Sequence, residues 1–588
     1  MSNSYDIVIK GGSVYDGSGA EAMTADIGIR DGEIVEVGNL QGGAQTIDAD
    51  GAIVTPAWVD IHTHYDGQVT WDDEMDPSAS HGVGTIVMGN CGVGFAPVAR
   101  GGEQDLIDLM EGVEDIPGTA LYAGMPWGAW ESYPEYLDYL ASRQYALNVS
   151  SMIAHGSVRN YVMGERGRNN EAATAEDLEQ MGSIVEEALT AGAVGFSTSR
   201  ILGHRSIQGL PVPGTFANDA EVMNIAQALK RAKRGLFQII PSSTLGPGQP
   251  GFEEHASLEQ EIDLIAAVSR ESGRPATFTL FEIDDWSNKW REAIDRVKAA
   301  NQQGAQIFPQ VGSRPTGLVF SLATYHPWIL KPTFIKLADL PHQQMLEQMR
   351  RPEIKAAILA EENDLTGVPV GSGKFLIANA PLRFDQTFPL TSTSTYEPGR
   401  DESFGAIAAA SQGADDGAGS MYDYLVAEAG RMSIMFFTNY ADFNLDAIRE
   451  MQMDDCTVTG LSDAGAHVSM IFDAVNPTYQ LTYWARDRGE GRTMPLSHVI
   501  HRATARNAKL FGFHDRGLIA PGMKADINVI DMGNLQLGDL AMRNDLPGGG
   551  SRLMQGAKGY LATLNNGVVT RSMDQDTGAR PGRLLRSR

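Results

Sequence analysis

The sequence predicts an α/β protein: a distorted (β/α)8 TIM-like barrel with a small β-sandwich domain formed by both termini and an insertion between strands 7 and 8. Three observations lead to this fold class. Strand and helix patterns alternate through the middle of the 588-residue chain, both ends carry short β-like runs, and the alternation supplies eight candidate parallel strands. Eight such units are typical of a barrel whose active site lies at the carboxyl ends of its strands.

The two ends of the chain carry the β-like runs. The first end contains "YDIVIKGGSVYDG" and "IRDGEIVEVG", the second of which reads as a hairpin around Asp31-Gly32. The other end contains "KADINVIDMG" and "GYLATLNNGVVTRS", with a hairpin turn at Asn566-Gly567. Because similar β-rich ends flank a different middle, we expect residues 1–55 and 515–588 to form one β-sandwich domain.

The middle, residues 56–514, alternates helices with buried strands. In "TAEDLEQMGSIVEEALTAGAVGFSTSR", Thr174 can cap a helix and Asp177 stands at the capping-box position, before a strand at 193–197. The pattern repeats along the chain. The candidate barrel strands lie near 57–62, 85–89, 150–154, 193–197, 236–240, 277–281, 306–310 and 457–462.

The stretch between the seventh and eighth candidate strands is too long for one crossover connection. Within it we read residues 315–430 as an insertion, a lid or subdomain over the barrel mouth. Its aromatic segment "ATYHPW" contains Tyr325, which could close over a substrate or simply pack the insertion.

Composition excludes several classes of partner. The chain has 46 Lys and Arg against 74 Asp and Glu, a formal net charge of −28, which disfavours nucleic acid and anionic membrane surfaces. No apolar run is long enough to span a membrane, and the start lacks the pattern of a secretory signal. With two cysteines and no disulfide framework, a reducing cytoplasm is the expected location. The sequence leaves the oligomeric state open, and a homo-oligomer is one of the alternatives.

Four metal-capable side chains stand at the ends of three candidate strands. His62 and His64 end the first strand, Cys91 follows the second, and Asp463 ends the eighth. Residues at i and i+2 of a strand point to one side, and strands one, two and eight are neighbours in a closed barrel. The convergence predicts a zinc site, in which Asp463 can also take a proton from water.

Each of these residues also has a simpler reading. Cys91 could be a small buried hydrophobic residue and Asp463 an ordinary turn residue; their placement beside the two histidines favours function. Cys456 precedes strand eight at the opposite end of the barrel, roughly 20 Å from Cys91 at about 3.3 Å per strand residue. We therefore interpret Cys456 as structural.

Further polar residues follow the strand ends and face the expected mouth. His155, at the end of strand three, is a candidate catalytic residue that could donate to an oxyanion, or else a histidine bonded to backbone. Arg159 could meet a substrate carboxylate, although a surface ion pair explains it equally well. The candidate substrate-binding residues are Arg159, Arg200, His204, Arg205, Glu282, Tyr325 and His467.

Five segments carry a family resemblance: "VDIHTHYD", "GNCGVGFAP", "GAVGFSTSR", "LSDAGAHV" and "GLIAPGMKADINVID". They resemble the amidohydrolase superfamily, and within it the N-acyl-D-amino-acid deacylase (D-aminoacylase) branch, over nearly the whole chain. The resemblance implies metal-dependent hydrolysis of C–N amide bonds. It implies His62, His64, Cys91 (a bridging thiolate) and Asp463 as metal ligands, with Asp463 as the catalytic base.

The chain departs from this family at strands five and six. The family has metal-binding histidines there and a lysine for the substrate carboxylate, whereas the corresponding stretches read "GLFQIIPSS" and "ATFTLFEID". We therefore expect one zinc ion, with a second open and Glu282 as its replacement ligand. The expected substrate is an N-acyl (D-)amino acid or a related hydrophobic amide. Two alternatives stay open: a cyclic amide or lactone hydrolase, and a degenerate, non-catalytic ligand-binding barrel.

Overall fold

The computed structural model describes residues 5–246, 253–283, 288–411, 416–489 and 491–587. Its strands are β1 Ile7–Val14, β2 Met23–Arg30, β3 Glu33–Gly38, β4 Gln45–Asp48, β5 Ile53–Pro56, β6 Trp58–Asp60, β7 Val83–Met88, β8 Asn148–Ser151, β9 Ile153–Ala154, β10 Gly195–Ser199, β11 Leu236–Ile240, β12 Ala276–Thr279, β13 Ile307–Val311, β14 Gly317–Ser321, β15 Thr387–Leu390, β16 Met432–Phe436, β17 Val458–Thr459, β18 Ile527–Ile530, β19 Gln536–Leu537, β20 Ala541–Leu546, β21 Gly550–Met554, β22 Ala557–Lys558, β23 Tyr560–Asn565, β24 Val568–Ser572 and β25 Gln575–Asp576.

The α-helices are α1 Glu103–Glu114, α2 Gly118–Gly124, α3 Tyr133–Ala141, α4 His155–Met163, α5 Glu165–Arg168, α6 Ala175–Ala191, α7 Asp219–Ala232, α8 Leu258–Ser272, α9 Lys289–Gln302, α10 Pro332–Ile335, α11 His342–Met349, α12 Pro352–Ala360, α13 Gly373–Asn379, α14 Phe404–Ala410, α15 Ala418–Ala427, α16 Asp446–Met453, α17 Asn476–Tyr479, α18 Leu496–His501 and α19 Asn507–Leu510. Among the helices so described, none has both the length and the apolar character needed to cross a membrane.

Two parallel sheets form the barrel. One runs in the order β6-β7-β8 and the other in the order β17-β13-β12-β11-β10-β9. Strands β8 and β9 follow each other on either side of Met152, and a parallel bridge between Thr63 and Ala464 joins the first and last strand segments. A strand stands at each of the eight predicted places, and the predicted distorted barrel is confirmed.

The helices between these strands begin as the sequence predicts. Thr174 Oγ1 accepts from the Asp177 N–H at 3.2 Å and Asp177 Oδ2 accepts from the Thr174 N–H at 2.8 Å, so the capping box starts α6. Met181 and Val185 on this helix are fully buried against the barrel core. The outer helices thus bury one apolar stripe each and leave the strand ends free to carry polar side chains.

The β-rich part contains strands from both termini, as predicted. Its nine-stranded sheet runs β25-β24-β23-β18-β5-β1-β2-β3, and β4 also pairs with β1. The sheet is therefore continuous and branches at β1. Buried side chains from both ends, among them Ile9, Ile27, Val54 and Ile527, share one apolar cluster.

The insertion has its own sheet and core. Strands β14, β16 and β15 pair antiparallel in that order, and a separate cluster contains Phe320, Trp328 and Leu346. Residues 412–415 of the predicted insertion lie outside the described residues. Because β16 belongs to this sheet, the unit extends past the predicted end at 430.

We propose that the chain divides as the sequence suggests: 1–55 with 515–588 as the β-rich domain and 56–514 as the barrel. The insertion, in this proposal, begins at 315 and ends after β16. Its function as a lid stays a prediction.

Candidate metal centre and active site

Short loops after three barrel strands carry His62, His64, Cys91 and Asp463 to one place. The Asp463 N–H donates to the His62 carbonyl at 3.1 Å, and the His64 N–H donates to the Ala464 carbonyl at 2.8 Å. Cys91 and Asp463 both have a left-handed backbone, with φ of 56° and 45°. Non-glycine residues adopt this conformation rarely, and such strain is concentrated at functional sites.

The Nε2 atom of each histidine lies at similar distances from Cys91 and from Asp463. His62 Nε2 lies 3.4 Å from Cys91 Sγ and 3.2 Å from Asp463 Oδ1. His64 Nε2 lies 3.7 Å from the same sulfur and 3.6 Å from the same oxygen. Around a tetrahedral zinc with bonds of about 2.0 to 2.3 Å, neighbouring ligand atoms are about 3.3 to 3.8 Å apart. The donor atoms of His62, His64 and Cys91 all lie within 4.8 Å of one another and fit zinc in both chemistry and spacing. Asp463 lies outside this group of three and approaches it through the two histidines.

The second nitrogen of each histidine meets a polar side chain behind it. His62 Nδ1 lies 2.8 Å from Gln310 Oε1, and His64 Nδ1 lies 3.2 Å from Glu114 Oε1. At His62, the Gln310 oxygen that accepts at Nδ1 keeps the proton on that nitrogen and leaves the Nε2 lone pair directed at the cluster. This arrangement is typical of metal-ligating histidines.

Burial and local charge set the protonation of the cluster. Burial lowers the pKa of His62 to about 4, so its imidazole is neutral at pH 7. Burial alone would raise the pKa of Asp463, but the adjacent imidazoles of His62 and His64 hold it below its ordinary value. Burial raises the pKa of the Cys91 thiol to about 12, so a thiolate there requires a compensating cation.

His155 and Arg159 form a buried network around Glu221. The two ring nitrogens of His155 contact Thr198 Oγ1 at 2.8 Å and Glu221 Oε1 at 2.9 Å. Arg159 Nη1 lies 2.8 Å from both Glu221 oxygens, and its side chain is 2% exposed. The ion-pair reading of Arg159 is correct, but its predicted place at the surface is wrong. With both nitrogens engaged inside the protein, His155 is not presented as an oxyanion donor.

The residues after strand four divide between the core and the cluster. Arg200 Nε donates to Glu261 Oε1 at 2.9 Å, and Arg205 Nη1 donates to the Gly209 carbonyl at 3.1 Å. His204 contacts Ser199 Oγ at 2.9 Å. Burial, together with the nearby His467 and His64, lowers the pKa of His204 to about 3.

Glu282 is turned toward the insertion. Its N–H donates to Asn439 Oδ1 at 2.8 Å, and its Oε2 accepts from the Ala441 N–H at 3.4 Å. The ligand-capable group found in the described residues contains His62, His64 and Cys91. Asp463 and Glu282 both lie outside this group, but Asp463 contacts its two histidines at 3.2 and 3.6 Å, whereas Glu282 contacts Asn439 and Ala441. The structure therefore does not bring Glu282 into the position of a replacement ligand.

Tyr325 and His467 connect the insertion and the eighth-strand loop to the cluster. The Tyr325 hydroxyl donates to Asp115 Oδ1 at 3.0 Å, and Asp115 Oδ2 accepts from the Ser469 N–H at 3.0 Å. His467 Nε2 lies 3.7 Å from Glu114 Oε2. These contacts place Tyr325 and His467 around the residues that hold His64.

Sequence reasoning missed Glu114 and Gln310 as supporting residues and identified Gln238 only as a polar group near the site. Gln238 Oε1 accepts the Cys91 N–H at 3.2 Å, so it holds the loop that carries the thiol. Gln238 and Gln310 lie within predicted strands. A polar side chain directed into the barrel was the feature of the sequence that could have identified them. Glu114 ends a surface-like helix, and no local pattern marks it.

The fold and site define a distorted barrel with a group of metal-capable side chains at its strand ends, and the chain belongs to the amidohydrolase family, whose model matches residues 45–570. It is 34% identical over 270 residues to a D-aminoacylase of Alcaligenes xylosoxydans xylosoxydans, covering 46% of this chain and 51% of that protein. It is 29% identical over 321 residues to an N-acyl-D-glutamate deacylase of the same organism, covering 53% and 58%. The chain thus matches about half the length of these curated relatives. The predicted resemblance to the D-aminoacylase branch is confirmed.

Solved structures show the same fold. An N-acyl-D-glutamate deacylase from Bordetella bronchiseptica, complexed with zinc and a phosphonate inhibitor, superposes with a TM-score of 0.63 at 22% identity, covering 99% of this chain and 100% of that one. A D-aminoacylase studied for its binuclear metal centre superposes with a TM-score of 0.64 at 21% identity, with the same coverage.

Proposed function

We propose that this protein is a metal-dependent hydrolase of C–N amide bonds that deacylates N-acyl (D-)amino acids or related hydrophobic amides. The observation that carries the proposal is the buried group of His62, His64 and Cys91, with Asp463 Oδ1 at 3.2 and 3.6 Å from the two histidine Nε2 atoms. The deacylase activities named for its relatives support the same reaction type.

The four residues would hold zinc, and Gln310 and Glu114 would orient the two histidine rings. When bound, zinc supplies Lewis-acid activation of water and of the amide carbonyl. The solved D-aminoacylase is described as having a binuclear centre with one-metal activation and second-metal attenuation. Strands five and six of this chain carry Gln238 and Thr279 and have no histidine that could bind a second metal ion. We therefore propose one zinc ion per chain, with two zinc ions as the alternative.

Asp463 is the proposed base. Its side chain is 21% exposed, whereas those of His62 and His64 are 1% exposed, so the carboxylate borders the space that a substrate can reach. Its pKa, lowered by the two imidazoles, keeps it ionised at neutral pH. It can accept a proton from the attacking water and return that proton to the leaving nitrogen as the C–N bond breaks.

The experiment compares hydrolysis by zinc-loaded protein of N-acetyl-D-methionine, N-acetyl-L-methionine, dihydrouracil and γ-butyrolactone. Faster release of acetate from the D compound is expected. Faster cleavage of N-acetyl-L-methionine would contradict the proposed specificity for D-amino acids. Faster opening of either ring would instead support the cyclic amide or lactone alternative, and no turnover by zinc-loaded protein would support a binding-only barrel.

The cellular setting is also proposed. We propose a cytoplasmic setting, because the two cysteines, Cys91 and Cys456, are both free and disulfides are rare in reducing compartments. Small-molecule amides are the proposed partners. Exclusion of nucleic acid and the oligomeric state stay predictions from charge and composition.

A further inference from the structure

The carboxyl end of α1 lies between the metal-ligating loops and the insertion. Glu114, the last residue of this helix, has Oε1 3.2 Å from His64 Nδ1 and Oε2 3.7 Å from His467 Nε2. Its carbonyl also accepts the His467 N–H. A single residue of α1 therefore contacts both the loop after β6 and the loop after β17.

The next residue, Asp115, contacts the insertion. Its Oδ1 accepts from the Tyr325 hydroxyl at 3.0 Å, and its Oδ2 accepts from the Ser469 N–H at 3.0 Å. Asp115 ends α1 in the left-handed conformation, with φ of 53°, and so turns the chain directly after Glu114. Because both carboxylate oxygens are held, the end of α1 is tied to the position of Tyr325.

Two further contacts bring the insertion against the same place. Strand β14 lies at the edge of the insertion sheet, and its Val319 N–H donates to the Met470 carbonyl at 2.7 Å. A Cβ atom at Gly373 would lie 2.7 Å from Tyr325 Cζ and 2.8 Å from Met470 Cε, so a larger residue there would push the Tyr325 ring aside. The insertion thus packs on the loop that carries His467, with Tyr325 at the contact.

We propose that Tyr325 is a positioning residue for the metal centre: its hydroxyl, through Asp115, fixes the end of α1 and thereby the Glu114 carboxylate behind His64. The inference rests on the proposed function, because it concerns the zinc site of the proposed hydrolase. A side chain behind a metal-ligating histidine sets the orientation and basicity of its ring, so a displaced Glu114 weakens zinc binding. Zinc binding and docking of the insertion then favour each other by the same factor, since such coupling is reciprocal.

The test measures the zinc dissociation constant by competition with a chelator for the wild type, Tyr325→Phe and Gly373→Ala. Tyr325→Phe removes only the hydroxyl, and Gly373→Ala displaces the ring, so each should raise the dissociation constant about fivefold. Tyr422→Phe is the matched control, because the Tyr422 hydroxyl donates to the Met349 carbonyl at 2.9 Å within the insertion. The zinc affinity of this control should equal that of the wild type.

Hydrogen exchange of the Val319 amide measures the reverse effect. Zinc should slow this exchange in the wild type, because the Val319 N–H is released from the Met470 carbonyl when the insertion undocks. The slowing should be about fivefold smaller in Tyr325→Phe, in line with the loss of zinc affinity. A hydroxyl with a purely structural role would lower the free energy of unfolding without changing the effect of zinc on this amide.

Equal zinc dissociation constants in the wild type and Tyr325→Phe would overturn the inference. The same conclusion would follow if Tyr422→Phe lost as much zinc affinity as Tyr325→Phe, because the effect would then be general to the insertion. In both cases the wild type still binds zinc, and the proposed function stands. A wild-type protein that binds no zinc would instead contradict the proposed metal centre and the inference together.

Discussion

Glu114 Oε1 lies 3.2 Å from His64 Nδ1, and both side chains are 1% exposed. The contact joins the end of α1 to the loop after β6. Burial alone would lower the pKa of His64, but the Glu114 carboxylate raises it well above its ordinary value. Since Glu114 also lies 3.7 Å from His467 Nε2, one buried carboxylate holds two histidines of the site.

Glu114→Gln should weaken zinc binding about 10- to 100-fold, because the ring of His64 loses the charge that orients it. Competition with a chelator measures the dissociation constant. Glu111→Gln is the control: Glu111 is on the same helix but accepts from the Gly118 backbone. Equal zinc affinities in the two variants would show that Glu114 does not support the site.

Cys91→Ser should lower zinc content well below one ion per chain, because a serine hydroxyl is a poor zinc ligand beside two imidazoles. Cys456→Ser is the matched control, since Cys456 is the other free cysteine and lies near the start of β17. Mass spectrometry of metal content on both variants provides the measurement. Full zinc content in Cys91→Ser would remove the thiol from the ligand set.

Asp463→Asn should reduce turnover about 10²- to 10⁴-fold, because an amide cannot accept the proton of the attacking water. Zinc should largely remain, held by His62, His64 and Cys91. The measurement is kcat together with zinc content of the same preparation. Near-full activity in this variant would assign the base to another residue.

Arg159→Met should destabilise the fold by about 3 to 5 kcal/mol, since Glu221 stays buried without its cation. Activity per folded molecule should change little because Arg159 has its partners inside the protein. Urea unfolding and KM of the folded enzyme check both parts. If Arg159→Met lost little stability and its KM for a carboxylate substrate rose strongly, Arg159 would be a substrate-binding residue after all.

His326 should make stability depend on pH. It is 1% exposed, against Phe334 at 4.3 Å between ring centroids, and burial lowers its pKa to about 3. In the unfolded chain His326 binds a proton near pH 6.5, whereas in the folded chain it binds one only near pH 3. The free energy of unfolding therefore decreases as the pH falls below about 6.5. The loss at pH 5 is about 2 kcal/mol.

His326→Phe should remove this loss, and the exposed His342, in the same insertion, provides the control as His342→Gln. Denaturant unfolding at pH 7 and pH 5 gives the free energies of unfolding. If the wild type and His326→Phe lose the same stability between the two pH values, His326 is not the responsible group.

Much of the architecture follows from local sequence patterns. Helical and strand periodicities predict the barrel strands, and the Thr174 capping box starts α6 where the spacing indicates. The pairing of His62 with His64 could also be predicted, because i and i+2 on a strand share a side. Barrel topology then makes the loops of strands one, two and eight neighbours.

The sequence by itself therefore determined the fold class, the family and the candidate ligands. Only the tertiary structure decided which charged side chains are already paired inside the protein and which can still contact a metal ion or a substrate. Arg159 and Glu221 are 62 positions apart and meet through helix packing that no local period encodes. The contacts of Glu114 with His64 and of Gln310 with His62 arise in the same way. Burial then turns these contacts into pKa shifts and ion pairs, because desolvation depends on the whole packed environment of a residue.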